Sequence, residues 1–209
     1  MSKVRSGRRP WLTLCSQTQS VQDQHLPRIL SQVHRRKTDF ALSFAPEHRG
    51  IALLRQQALD LGLPLSHMSD SFTRTVPVAH PVEVKTAGGN AEEAQLQLAV
   101  FHAATLSFLA SLNAGSVEST SDNLELQPSL GWAVVGHTWS VYIAWQDADG
   151  IVRIRSPTLS RPMGTTSFLD LFTLLSVLRE GFSWLRDDYW SRYSQRLSAH
   201  LDNIQSTPA

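Results

Sequence analysis

A short strand running through a glycine turn into a long apolar helix is the feature of this chain that most restricts its fold. Pro81-Val82-Glu83-Val84-Lys85-Thr86 has the two-residue alternation of a strand. A glycine pair and Asn90 follow, and Ala91-Glu92-Glu93-Ala94-Gln95-Leu96-Gln97 opens a helix that reads on to about Leu112. Asn90 is a favourable N-cap, and Glu93, three residues on, gives a capping-box pattern. Beyond its first turn the helix is apolar nearly all round, as suits a helix buried against a sheet. A layered α/β domain follows from these two elements.

Successive side chains of a strand point to opposite faces. Glu83 and Lys85 therefore share one face, and Val82 and Val84 are expected to point into the protein. A carboxylate can hold Mg²⁺. A neighbouring lysine can orient or deprotonate water, or offset charge building on a phosphate, and phosphodiester hydrolysis needs these functions. Taken alone, a Glu-x-Lys pair reads equally as a solvated ion contact of small energetic worth. Upstream, Thr38-Asp39-Phe40-Ala41-Leu42-Ser43-Phe44-Ala45 reads as a second short strand that opens with an acid. Asp39 is thus a candidate second metal carboxylate.

Asp39, the Glu83-Val84-Lys85 strand and a helix bearing Gln97-Leu98-Ala99-Val100-Phe101 together resemble the PD-(D/E)xK nuclease superfamily. In particular the chain is similar to the fungal PD-(D/E)xK nuclease-like domains, through Glu93-Ala94-Gln95-Leu96-Gln97-Leu98 and a later Gly136-His137-Thr138-Trp139 hairpin. The resemblance covers roughly residues 36 to 190. It implies a restriction-endonuclease-like fold, a central mixed β-sheet flanked by helices. It also implies Mg²⁺ or Mn²⁺ bound by Asp39, Glu83 and the carbonyl of Val84, with Lys85 assisting the attacking water and Gln97 orienting water or Lys85. Two features depart from the pattern. Thr38 stands where the motif usually has proline, and the acid expected from a preceding helix has only Asp23 as a candidate between Val21 and Arg36. Members usually carry a longer N-terminal region, so a truncated or a degenerate copy of the domain is expected.

Composition adds few positive clues. At 209 residues one core suffices, burying roughly 70% of the unfolded surface. A net charge of +1 gives no bulk attraction to nucleic acid, so phosphate contacts have to come from local clusters. The single cysteine, Cys15, fits a reducing compartment and an intracellular, nuclear or cytoplasmic location. Eight scattered histidines without His-Glu-x-x-His spacing argue against zinc. No Gly-x-Ser-x-Gly elbow points to a serine hydrolase. The apolar run from Phe168 to Leu178 is far shorter than the roughly twenty residues of a membrane span, so a soluble chain with no membrane partner is expected.

Residues 1–20 read as a flexible basic segment, 21–200 as a single nuclease-like domain and 201–209 as a flexible tail. Val21 to Arg36 reads as a short helix ending in His34-Arg35-Arg36-Lys37, where cations complement a helix terminus or grip phosphate. Residues 46–80 look like a variable insertion holding a helix from Ile51 to Leu61, and Gly115 to Ser129 is a Ser-rich loop. Strands follow at Trp132–Val135, Trp139–Gln146 and Ile151–Ser156, with His137 in the first bend. Ser167 to His200 reads as helix with a possible break at Gly181. Its Trp184, Tyr189, Trp190 and Tyr193 suit a core, a partner face or base stacking. The expected activity is metal-dependent hydrolysis of DNA phosphodiesters, with DNA, or else RNA, as the partner. The alternative is a catalytically degenerate nuclease fold that serves as a binding module.

Overall fold

A computed structural model describes residues 11–16, 20–27, 38–113 and 127–206. Among these, seven strands form one mixed sheet: β1 (Leu12–Ser16), β2 (Phe40–Phe44), β3 (Val78–Lys85), β4 (Ser129–Val135), β5 (Thr138–Gln146), β6 (Val152–Arg155) and β7 (Met163–Gly164). The order across the sheet is β1-β2-β3-β4-β5-β6, with β7 added to the start of β5. All pairings are antiparallel except β3 with β4. A parallel pair needs a crossover, and the 23-residue α2 (Ala91–Asn113) supplies it. The remaining helices are α1 (Arg49–Asp60), α3 (Phe168–Trp184) and α4 (Trp190–Ser206). This is the α/β arrangement of a restriction-endonuclease-like fold.

Helices cover both faces of the central strands. On one, Ala94 and Leu98 of α2 pack on Ala133, with Tyr142 and Ile154 beside them. On the other, Leu174 and Val177 of α3 pack on Trp132, Val141 and Val82. A third cluster joins Phe44, Ile51, Leu65, Phe108 and Leu109 to Tyr189, Trp190, Tyr193 and Leu197. The aromatic group near the C-terminus is therefore core, and Tyr193 donates its buried hydroxyl proton to the Leu65 carbonyl at 2.7 Å. By length and composition α2 could also cross a membrane, but 61% of its most apolar window is buried inside the protein, as in a core helix.

Several expectations need correction. Glu83, not Val84, points inward: Glu83 is 2% exposed and Val84 40%. Glu83 stands beside Ala133 in the β3–β4 register, and α2 folds back over that face; Val84 lies past the cover that α3 gives Val82 and Trp132. Leu12–Ser16, assigned to the flexible basic segment, pairs along its whole length with β2, and the preceding Trp11 stacks on His48 at 3.7 Å. The expected helix from Val21 does not form over its described part. Val21 bridges Met68, Asp23–His25 makes a single 3-10 turn and Leu26 is extended, because Pro27 pushes its predecessor out of the helical region. Residues 28–37 lie outside the described residues. The supposed insertion contributes Leu65, Met68 and Val76 to the core.

Gly181 does not break its helix. It is buried against Trp132, where an added Cβ would sit 3.4 Å from the indole. The interruption comes at a π turn, Leu185–Tyr189, whose extra residue brings Leu185, Tyr189 and Trp190 all inward. Past residue 200 the helix continues to Ser206, held by Leu201, which extends the buried spacing of Trp190, Tyr193 and Leu197.

Four histidines among the described residues are buried, and three of them, His67, His80 and His102, almost completely. Burial pushes each of these three down from 6.5 to about 3, with neighbouring histidines adding to the effect at His67 and His80. These side chains stay neutral in the fold while the unfolded chain protonates them below pH 6.5. Stability is then unaffected above that pH and lost as pH falls towards 3, by up to about 1.4 kcal/mol per pH unit for each histidine. Urea midpoints should be level from pH 8 to 7 and fall steeply between 6 and 4.5. A level midpoint across the acid range would contradict the assignment.

Candidate functional site

The end of the β3–β4 pair is closed by two tight turns. The Gly136 N–H donates to the Lys85 carbonyl at 2.9 Å, with Gly136 at φ +58°, where a Cβ would lie 2.8 Å from Ala87 Cα. The Gly89 N–H donates to the Thr86 carbonyl, and a Cβ on Gly89 would meet Lys85 Cβ at 2.6 Å. Only glycine fits these close approaches. Together they fix where β3 stops and where α2 starts. Asn90 Oδ1 then accepts the Glu92 and Glu93 N–H groups at 2.9 and 3.2 Å, capping α2 over the Glu83 face.

The segment entering β2 fastens the other side. Asp39 Oδ2 accepts the Val84 N–H at 2.8 Å, and Thr38 donates to the Val82 carbonyl at 3.1 Å. Two residues 45 positions apart in sequence, Asp39 and Val84, thus meet at one strand end. Thr38, which replaces the motif proline, is a clamp between the strands.

Beneath α2, Lys85 Nζ lies 3.0 Å from Glu83 Oε1 and donates to Gln97 Oε1 at 2.9 Å. Glu93 Oε1 is 3.4 Å from the same ammonium and accepts from Gln97 Nε2 at 3.4 Å. Glu83 Oε2 is enclosed with no hydrogen-bond partner among the described residues. Burial raises the Glu83 pKa and the charge of Asp39 adds to it, against the hydrogen bond and charge of Lys85 and a weaker hydrogen bond from the Asp39 backbone. Burial is also the largest influence on Lys85 and lowers it, but the hydrogen bond and charge of Glu83, with those of Glu93, outweigh it and hold the lysine above its ordinary range. The ammonium is therefore protonated at neutral pH.

Asp39, Glu83, Val84, Lys85 and Gln97 meet at this site. Arg35, Arg36 and Lys37 lie outside the described residues. Asp23 belongs elsewhere: its 3-10 turn carries His25, which contacts Ser107, about 15 Å along α2 from Gln97. Exposed His137 bonds Thr165 at 2.8 Å, tying the hairpin to the segment after β7, a structural part. Sequence reading missed Glu93 as a partner of Lys85, seeing only a helix cap. The signal was present, since Glu93 and Gln97 are i and i+4 neighbours on one helix face.

Among the described residues no group of three or more His, Cys, Asp or Glu side chains is arranged to hold a metal ion. The donors nearest the end of β3 are the carboxylates of Asp39 and Glu83 and nearby backbone oxygen, with Glu93 on the far side of Lys85. That is an all-oxygen set suited to a hard divalent cation whose shell is completed by water and substrate, and the buried Glu83 Oε2 has no hydrogen-bond partner among the described residues. The residues fit Mg²⁺ or Mn²⁺.

A mixed sheet carrying an Asp, a Glu-x-Lys strand end and a helix glutamine defines a nuclease-like α/β domain. The family model of the PD-(D/E)XK nuclease superfamily matches residues 2–190, and the chain belongs to that superfamily. No curated protein and no solved structure matches it.

Gly136→Ala should cost at least about 1–2 kcal/mol, from left-handed backbone alone, with the Ala87 contact adding to it. Chemical denaturation measures this. An unchanged midpoint would mean that the turn does not constrain the site.

Proposed function

We propose that the protein is a divalent-metal-dependent nuclease acting on DNA. The observation that carries this reading is the Glu83 carboxylate, buried with one oxygen on Lys85 and the other unpartnered, beside Asp39 at the end of β3. Asp39, Glu83 and the Val84 carbonyl would hold Mg²⁺ or Mn²⁺, which when bound supplies a more acidic water and offsets charge on the scissile phosphate. Lys85, kept protonated by its carboxylate neighbours, serves as a donor to phosphate oxygen and a stabiliser of developing negative charge. Proton abstraction from water does not suit an ammonium held in this state. Gln97 fixes the lysine through its amide oxygen. Arg35, Arg36 and Lys37, which precede Asp39 closely in sequence, would add phosphate contacts.

That no group of three or more His, Cys, Asp or Glu side chains among the described residues is arranged to hold a metal ion favours a second reading, a nuclease fold retained as a nucleic-acid-binding module. Cleavage assays separate the two. With Mn²⁺ or Mg²⁺, wild type should cut single-stranded or duplex DNA slowly, EDTA should stop it, and Lys85→Ala should lose about 10²-fold or more while remaining folded. Millimolar Mn²⁺ should also raise the melting temperature of wild type and not of Glu83→Ala. Folded wild type that binds DNA without cutting it supports the module, and equal trace activity in wild type and Lys85→Ala marks contamination.

A further inference from the structure

The Lys85 ammonium has three acceptors: Gln97 Oε1 at 2.9 Å, Glu83 Oε1 at 3.0 Å and Glu93 Oε1 at 3.4 Å. An ammonium has three N–H donors, so all three are engaged. The carboxylate placed to ligate a cation is thus also the nearest anion to the lysine, and the two positive charges compete for Glu83. A divalent cation on Glu83 repels the ammonium beside it. Lys85 is only 14% exposed, so release into water is restricted, and it needs another anion within reach. Glu93 is that anion. Its backbone is fixed in the capped first turn of α2, its carboxylate is partly exposed and adaptable, and Gln97 Nε2 donates to it.

We propose that Glu93, together with Gln97, is a positioning residue that takes over the Lys85 ammonium when Glu83 turns to a divalent cation. The inference rests on the metal-dependent reading above. The exchange of counter-ions frees a Glu83 oxygen without leaving Lys85 uncompensated, and it keeps the lysine within the site. Without Glu93, Glu83 is the only carboxylate of the two left to the ammonium, and cation binding has to displace it at greater cost.

The test is a double-mutant cycle on Mn²⁺ affinity, by calorimetry, with Glu93→Gln, Lys85→Met and the double variant. Glu93→Gln should weaken Mn²⁺ binding on the order of fivefold when Lys85 is present, and by clearly less in the Lys85→Met background, where there is no ammonium to hold. Glu93→Asp should recover part of the loss. A cooperative melting transition without metal, whatever its midpoint, establishes that each variant is folded. Equal losses in both backgrounds would show that Glu93 acts only as a distant negative charge and would overturn the proposal. So would wild-type affinity in Glu93→Gln. Wild type that binds no Mn²⁺ would instead remove the metal-site reading, and this inference with it.

Discussion

The Glu83–Lys85 ion pair lies under the first turns of α2, and the arrangement of the fold around it is explained by the need to hold it there. Taking a carboxylate and an ammonium out of water costs several kcal/mol for each ion, and their attraction rarely returns much more than that. A packed apolar pair would serve stability as well. The pair is tolerated because α2 supplies Gln97 and Glu93 to the ammonium, because Asp39 and Thr38 tie β2 to the backbone on either side of Glu83, and because Gly89 and Gly136 let the chain close tightly past Lys85. One oxygen of Glu83 is still left without a partner. An orphaned buried carboxylate oxygen is a standing cost, and the proposed cation site would offset it.

The scaffold meets this demand by making the parallel β3–β4 pair its centre. A parallel pair is covered on both faces, so α2 takes the Glu83 side and α3 the Trp132 side. Beyond them, α1 and α4 close over β2 through Phe44, Ile51, Tyr189 and Trp190. The π turn at Leu185–Tyr189 lets one long helical stretch serve two of these clusters, turning from the Trp132 face to the aromatic core without a loop. His67, His80 and His102 are a weakness of the same core: neutral and well packed near neutral pH, and a proton sink for the unfolded chain in acid.

How much of this the sequence reveals depends on how local the determining physics is. β3, α2 and the three strands that follow carry their own periodicity and turn residues, and they form within a few residues of where the pattern puts them. Asp39, Glu83, Lys85 and Gln97 can be named from motif spacing, and they meet in space. Which face of β3 is buried cannot be read from alternation, since Val-Glu-Val-Lys fits either choice until α2 chooses a side. β1 is five residues in a polar, basic context, and its strand form depends on a partner 28 positions away. The π turn has no local signature. Glu93 is legible as the i, i+4 neighbour of Gln97, but its approach to Lys85 exists only after the strand and helix pack.

The central claim is that Glu83 and Asp39 form one cation site at the end of β3. Anomalous diffraction from crystals soaked in Mn²⁺ tests it most directly. The account predicts a single strong peak between Glu83 Oε2 and Asp39, with Lys85 moved from Glu83 towards Glu93. A folded protein whose density shows no ion there, with Lys85 still on Glu83 in millimolar Mn²⁺, would contradict it.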